Sequence, residues 1–205
     1  MNATTQPSAA ERPQSAPVLN IANALTVLRL ILVPVFIYLM LLEGHGPRLA
    51  ALVVFVGAAI TDQLDGQLAR SRNLVTDFGK IADPIADKAL TMTAFILLSL
   101  EGSLWWWVTI AIIVRELGIT VLRFFMLRRA VMAASRGGKL KTVLQIAGLV
   151  GLLVPWGALP WQGLAQGLMT LAYVIIGAAL VVTVVTGLDY VRQALALSRR
   201  APGRD

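Results

Sequence analysis

The sequence contains no cysteine, a single histidine and few charged residues for its length of 205. The absence of cysteine excludes a disulfide framework and thiol chemistry. Charged residues make up 14%, whereas soluble domains carry about 25%, so the chain lacks the polar side chains needed to cover a soluble surface. Hydrophobic residues reach 57% with a mean hydropathy of +0.74, and they occur in long runs. This composition predicts an integral membrane protein.

Acidic residues are outnumbered by basic ones, which gives a formal net charge of +7. A basic protein of this kind raises the question of nucleic-acid binding. Here, however, the basic residues flank apolar spans, as expected for contacts with anionic lipid headgroups and for signals that set membrane topology. The charge distribution therefore favours membrane lipids as partners and predicts no nucleic-acid partner.

Six apolar spans near the length of about 20 residues that crosses a bilayer follow one another along the chain. They lie at about 21–42, 48–70, 82–100, 104–127, 141–159 and 168–190. Backbone polar groups in lipid must be paired within the segment, so all six are predicted to be helices. The sequence thus predicts an all-α integral membrane protein with one six-helix domain over 18–192. A disordered tail is expected over 1–17 and a basic tail over 193–205.

The loops between the predicted spans differ strongly in charge. The loops at 43–47, 101–103 and 160–167 contain no lysine or arginine. Basic residues are concentrated instead in the connections on the other side and after the sixth span. Because positively charged loops stay in the cytoplasm, both termini are predicted to be cytoplasmic, in a multi-pass protein of the plasma membrane.

Four aspartates interrupt these spans at the predicted cytoplasmic ends of the second and third. Asp62 and Asp65 are three residues apart, Asp83 and Asp87 are four apart, and each pair therefore shares a helix face. A carboxylate in a bilayer costs roughly 3 kcal/mol or more at the centre of a helix, and four together also repel each other. Two ions of Mg²⁺ or Mn²⁺, which prefer oxygen ligands, would neutralise the negative charge of the four carboxylates. Such a pair clamps the oxygens of a phosphoryl group.

Small residues and one arginine accompany the aspartates. Gly66 and Ala69 leave room for a bulky diphosphate, and Arg70 supplies a planar cation suited to phosphate. Helix capping is the simpler explanation for single members, since Pro84 makes Asp83 a plausible N-cap. Capping does not explain four carboxylates on two adjacent spans.

The complete spacing, D-x2-D-G-x2-A-R-x8-G-x3-D-x3-D, resembles the signature of the CDP-alcohol phosphotransferase family at every fixed position. The resemblance implies a six-span enzyme, typically a homodimer, that moves a phosphatidyl group from CDP-diacylglycerol to an alcohol and releases CMP. It implies that Asp62, Asp65 and Asp83 bind metal and that Asp87 is the general base and also a metal ligand. It further implies that Gly66, Ala69 and Arg70 hold the CDP moiety.

Other segments resemble the bacterial branch of this family that makes phosphatidylglycerophosphate. The opening Asn20-Ile-Ala-Asn23-Ala-Leu-Thr26-Val-Leu-Arg29 is similar to N-I-P-N-x-L-T-x-x-R, with Ala22 in place of the usual proline. This likeness favours glycerol 3-phosphate as the acceptor and associates Asn23 and Thr26 with the nucleotide, although Asn23 is also a possible helix cap.

A phosphorylated acceptor needs cations near the aspartates. Four are candidates for its phosphate: Arg115, Arg123, Lys139 and Lys141. For Arg123, the alternative is an ion pair with Glu116 that only orders the bundle, which leaves Arg115 unexplained. For the two lysines, the alternative is a role as ordinary cytoplasmic-side charges.

Two rival functions remain open at this stage. The first rival is an enzyme of the same family that uses another acceptor alcohol. That alcohol would be inositol phosphate, serine, or phosphatidylglycerol, the last of which gives cardiolipin. The second rival belongs to a different class of protein: a divalent-metal transporter in which the carboxylates form the cation pathway. The apolar outer halves of the second and third spans speak against a polar path across the membrane.

Overall fold

The computed structural model describes residues 21–71, 77–126 and 136–200. Within them, the side chains of residues 22, 63–71, 77–84, 87, 123–126, 136–138 and 193–200 lie outside the description. The described ranges form six α-helices: α1 (Ile21–Leu41), α2 (His45–Ser71), α3 (Asp77–Leu100), α4 (Trp106–Met126), α5 (Arg136–Leu153) and α6 (Gln162–Arg200). A 3₁₀ turn at Trp156–Ala158 joins α5 to α6. The all-α prediction is confirmed.

Within the described residues, two segments are long and apolar enough to cross a membrane by length and composition: Asn23–Leu41 in α1 and Gln162–Arg192 in α6. Lys88–Leu100 in α3 is a shorter apolar stretch. Large apolar side chains point outward along several helices, and Val53, Val114 and Val174 are each more than 60% exposed. So much exposed apolar surface is typical of a protein whose solvent is lipid.

Several helices extend beyond the spans predicted from hydropathy, and α3 and α6 show this clearly. The third helix begins at Asp77, five residues before the predicted start at 82, and α6 runs from Gln162 to Arg200. Hydropathy marks only the part of a helix that faces lipid, whereas backbone hydrogen bonding continues into polar residues. The N-cap interpretation of Asp83 is therefore wrong, because α3 starts six residues earlier. The predicted tail at 1–17 lies outside the described residues.

The fifth and sixth helices pack closely against each other at two glycines. A Cβ atom at Gly148 would lie 2.5 Å from Cδ1 of Ile176, and one at Gly151 would lie 2.6 Å from Cβ of Ala172. Glycines allow two backbones to approach each other, and in membranes such close van der Waals packing is a main source of helix association. The two glycines therefore fix how α5 lies against α6.

The buried core draws side chains from all six helices. Phe36 of α1 and Phe55 of α2 pack with their ring centroids 5.8 Å apart. Phe95 of α3 and Leu149 of α5 are buried against the same cluster. Core packing thus fixes α1, α2 and α3, the helices that carry the motif residues, relative to one another.

A single arginine joins three elements at the end of the bundle opposite the aspartates. Arg48, near the start of α2, lies 2.5 Å from the carboxylate of Glu101, which directly follows α3. Its Nε and Nη2 each donate to a backbone carbonyl at the end of α5, those of Leu153 and Leu152, at 3.1 Å. A guanidinium at a helix C-terminus satisfies carbonyls that have no partner within the helix. We refer to these contacts as the Arg48 clamp.

Candidate active site

The backbone places the four motif aspartates on two successive helices. Asp62 and Asp65 lie in the last three turns of α2, and Asp83 and Asp87 lie in the first half of α3. Of the four, only the Asp62 side chain is described; those of Asp65, Asp83 and Asp87 lie outside the description. Among the described side chains, no three of the His, Cys, Asp and Glu type lie together. The shared metal site thus remains a prediction, and its all-oxygen donor set fits Mg²⁺ or Mn²⁺.

Asp62 is tied to the first helix by a buried arginine. Nη1 of Arg29 lies 2.7 Å from Oδ1 of Asp62, and the Arg29 side chain is only 1% exposed, whereas Asp62 is 36% exposed. A buried guanidinium without a counter-charge would be strongly destabilising. The pairing therefore explains how α1 accommodates Arg29, and it fixes the orientation of one carboxylate oxygen of the motif.

Two further polar residues of α1 face the bundle together with Arg29. Asn23 and Thr26 are buried, and the three positions follow one another at intervals of three along one helix face. Asn23 lies inside the helix, which already includes Ile21, so the capping interpretation of Asn23 is wrong. The surroundings of the other residues assigned to the CDP moiety, Gly66, Ala69 and Arg70, lie outside the description.

A second polar group forms around Glu116, near the middle of α4. Its Oε2 lies 2.9 Å from Nζ of Lys88 on α3, and its Oε1 lies 3.2 Å from Nη1 of Arg115. The ammonium group of Lys141 on α5 also donates to Oε1. We call these four residues the Glu116 cluster. It brings together three cations from three helices, and Lys88 directly follows Asp87 in the sequence.

Arg115 is held in place by α6 as well as by Glu116. Its Nε donates to the carbonyl of Thr183 at 3.0 Å, and its Nη2 donates to Oγ1 of Thr186 at 2.7 Å. A Cβ at Gly187 would lie 3.1 Å from Cγ of Arg115, so the glycine leaves room for the arginine stem. These contacts account for an arginine that sequence reasoning could not place within the bundle.

The predicted acceptor-phosphate residues are only partly brought together. Arg115 and Lys141 meet at Glu116, whereas the Lys139 side chain is exposed. The Arg123 side chain lies outside the description, so the proposed pair with Glu116 is not tested. Sequence reasoning missed Lys88, although its position beside Asp87 in the motif was a signal that could have identified it.

Comparison with protein families gives one domain match. The model of the CDP-alcohol phosphatidyltransferase family matches residues 19–185. The match covers α1 to α5 and more than half of α6, and it includes every motif residue discussed above.

Individual relatives are similar over most of their length. A "Probable phosphatidylglycerophosphate synthase" of Mycobacterium tuberculosis is 48% identical over 196 residues, which span 94% of this chain and 90% of that protein. The "CDP-diacylglycerol--glycerol-3-phosphate 3-phosphatidyltransferase" of Bacillus subtilis is 36% identical over 83% of this chain and 93% of its own length. The Escherichia coli K12 protein with the same description is 41% identical over 65% of this chain and 76% of its own length.

Proposed function

This chain belongs to the CDP-alcohol phosphatidyltransferase family, and we propose that it transfers the phosphatidyl group of CDP-diacylglycerol to glycerol 3-phosphate. The products are phosphatidylglycerophosphate and CMP, and the reaction belongs to phospholipid biosynthesis. The observation that carries the acceptor assignment is the agreement of relatives at 36% to 48% identity, whose descriptions name this product or this reaction. The protein is therefore an enzyme of a membrane family.

Asp62, Asp65, Asp83 and Asp87 are the residues that would hold two divalent ions. Their carboxylates offer only oxygen donors, which is the preference of Mg²⁺ and Mn²⁺. When bound, such ions neutralise the diphosphate and draw charge from the phosphorus under attack. Arg29 holds Oδ1 of Asp62, and the Asp62 side chain is 36% exposed.

Asp87 acts as the general base in this proposal. It accepts the proton of the acceptor hydroxyl, whose oxygen then bonds to the β-phosphorus of CDP-diacylglycerol. The bond from that phosphorus to the oxygen of CMP breaks, and CMP leaves. Most of the rate comes from positioning and charge stabilisation, as is general for phosphoryl transfer.

The nucleotide would lie between α1 and α2. Asn23 and Thr26 of α1 are buried on the face that carries Arg29, and Arg29 contacts α2 at Asp62. Gly66, Ala69 and Arg70 follow Asp62 by one to two turns of α2, so the same end of the bundle supplies both sets of predicted CDP contacts.

The acceptor phosphate is assigned to cations of α4 and α5. Arg115 and Lys141 converge on Glu116, and Arg123 and Lys139 complete the set that we propose from the sequence. Lys88 of the cluster directly follows Asp87 in the sequence, so the cluster and the proposed base lie at the same level along α3.

In the membrane, we propose that all six helices span the bilayer with both termini and the active site on the cytoplasmic side of the plasma membrane. The charge bias of the loops supports this orientation. We also propose that the protein is a homodimer, as the family resemblance implies. The natural absence of cysteine permits a direct test. A Gly46→Cys variant should react with an impermeant maleimide added to intact cells, and a Ser198→Cys variant should react only after lysis.

An acceptor screen tests the reaction itself. Purified protein receives CDP-diacylglycerol and, separately, glycerol 3-phosphate, inositol phosphate, serine or phosphatidylglycerol, and CMP release is measured. Release with glycerol 3-phosphate alone is the expected result. Reaction with one of the other alcohols, while glycerol 3-phosphate stays inert, would contradict the proposed acceptor.

A further inference from the structure

Three positive side chains share one carboxylate in the Glu116 cluster. Lys88, Arg115 and Lys141 contribute three positive charges and Glu116 one negative charge, which leaves a net charge of +2. The side chains of Arg115 and Glu116 are 12% exposed and that of Lys141 is 8% exposed. Charges that are this far removed from water interact more strongly than surface charges. A net positive group of this kind is suited to an anion of about two negative charges.

Both carboxylate oxygens of Glu116 accept hydrogen bonds from the cations. Oε2 accepts from Lys88, while Oε1 accepts from Arg115 and Lys141. Phosphate oxygens make the same kind of charge-assisted hydrogen bond with ammonium and guanidinium donors. Arg115 is in addition fixed by Thr183 and Thr186 of α6, so one member of the group keeps its position independently of Glu116. The two lysines are held by Glu116 among the contacts described.

We propose that Lys88 binds the acceptor phosphate together with Arg115 and Lys141, and that Glu116 is a positioning residue that sets the charge of this subsite to match a phosphate monoester. Such a group carries about −1.5 to −2 near neutral pH. The inference rests on the proposed function and adds two residues, Lys88 and Glu116, to it. Glu116 both spaces the lysines and prevents excess positive charge from retaining anions too tightly.

Opposite charge changes at the two positions give opposite predictions. Lys88→Gln removes a cation, so the KM for glycerol 3-phosphate should rise by about tenfold, as expected for the loss of a charge-assisted hydrogen bond. Glu116→Gln removes the balancing charge, so the KM should fall by about threefold to tenfold and inorganic phosphate should become a stronger competitive inhibitor. The KM for CDP-diacylglycerol should stay unchanged in both variants.

The controls separate this role from a structural one. Glu101→Gln also removes a glutamate that pairs with an arginine, but at the opposite end of the bundle, and it should leave the KM for glycerol 3-phosphate as in the wild type. Lys88→Arg should restore most of the affinity that Lys88→Gln loses. If Glu116→Gln does not fold, the comparison of Lys88→Gln with Lys88→Arg still decides the question.

The outcomes distinguish this inference from the function on which it rests. A wild-type enzyme that does not use glycerol 3-phosphate refutes the proposed function. A wild-type enzyme that does use it, combined with a folded Lys88→Gln variant of unchanged KM, refutes the inference alone. An equal rise of KM in Glu116→Gln and Lys88→Gln also refutes it, because charge matching requires opposite signs.

Discussion

Arg29 of α1 and Asp62 of α2 form a salt bridge with 2.7 Å between Nη1 and Oδ1, and the arginine side chain is almost completely buried. The contact joins the opening segment of the chain to the first aspartate of the metal motif, 33 positions later in the sequence. Because one oxygen of Asp62 is fixed by an internal cation, the orientation of the other is determined by the protein before any ligand arrives. Arg29 therefore acts on the proposed metal site through Asp62.

Replacement of Arg29 by glutamine should weaken metal binding. Loss of a group that orients a metal ligand typically costs 10-fold to 100-fold in affinity, roughly, and we expect a reduction of that size for Mn²⁺, measured by calorimetry in detergent. Arg48→Gln is the matched control, since Arg48 also pairs with a carboxylate but at the far end of the bundle. Unchanged or tighter Mn²⁺ binding by a folded Arg29→Gln variant would contradict the orienting role.

Replacement of Asp87 by asparagine should reduce turnover while the nucleotide still binds. A general base contributes about 10²-fold to 10⁴-fold to rate, so kcat should fall within that range. Stabilisation of the variant by CMP in a thermal unfolding assay should resemble that of the wild type. Asp189→Asn, at an exposed position of α6, serves as the control and should keep the wild-type rate. A near-normal kcat for Asp87→Asn would show that another group takes the proton.

Removal of divalent ions should abolish the reaction. After exhaustive chelation, CMP release from CDP-diacylglycerol and glycerol 3-phosphate should fall to background, and Mg²⁺ or Mn²⁺ should restore it, because both fit an all-carboxylate site. The same experiment tests the transporter alternative. Ion flux into proteoliposomes without metal-dependent CMP release is the result that would favour transport.

Substitution at the close approach of α5 and α6 should destabilise the bundle. The Cβ of Gly151→Ala would lie 2.6 Å from the Cβ of Ala172, a methyl group with no torsion of its own to relieve the contact. Overpacking of this kind costs about 1–3 kcal/mol, so the midpoint of thermal unfolding should fall. At Gly177 on α6, no neighbouring atom lies within 4 Å of an added Cβ. Gly177→Ala should therefore leave the midpoint unchanged or raise it, since alanine favours helices.

Much of the architecture was predictable because membranes restrict it. Backbone groups in lipid must be paired within helices, so the long apolar runs correctly predicted an all-helical fold. Helix ends were less accurate, as α3 and α6 show, because hydrogen bonding does not stop where hydropathy falls. The spacing of Asp62, Asp65, Asp83 and Asp87 correctly indicated the family, since fixed intervals on a helix encode which side chains share a face.

The partners of the buried charges were not predictable from spacing. Glu116 contacts Lys88 and Lys141, which lie 28 and 25 positions away, and no periodicity within α4 indicates which neighbouring helix faces it. The same limit applies to Arg29 and Asp62. Such pairs depend on how each helix is rotated about its axis. That rotation is set by packing at positions such as Gly148 and Gly151.

The Arg48 clamp has a consequence for how a two-chain lipid reaches the aspartates. One guanidinium fastens the start of α2 to the residue after α3 and to the last carbonyls of α5. Rigid helices that are fastened at one end can separate only by pivoting about it. Their displacement then grows with distance from Arg48 and is largest near Asp62. We therefore expect substrate entry and product exit to widen the bundle near Asp62, while the end held by Arg48 stays closed.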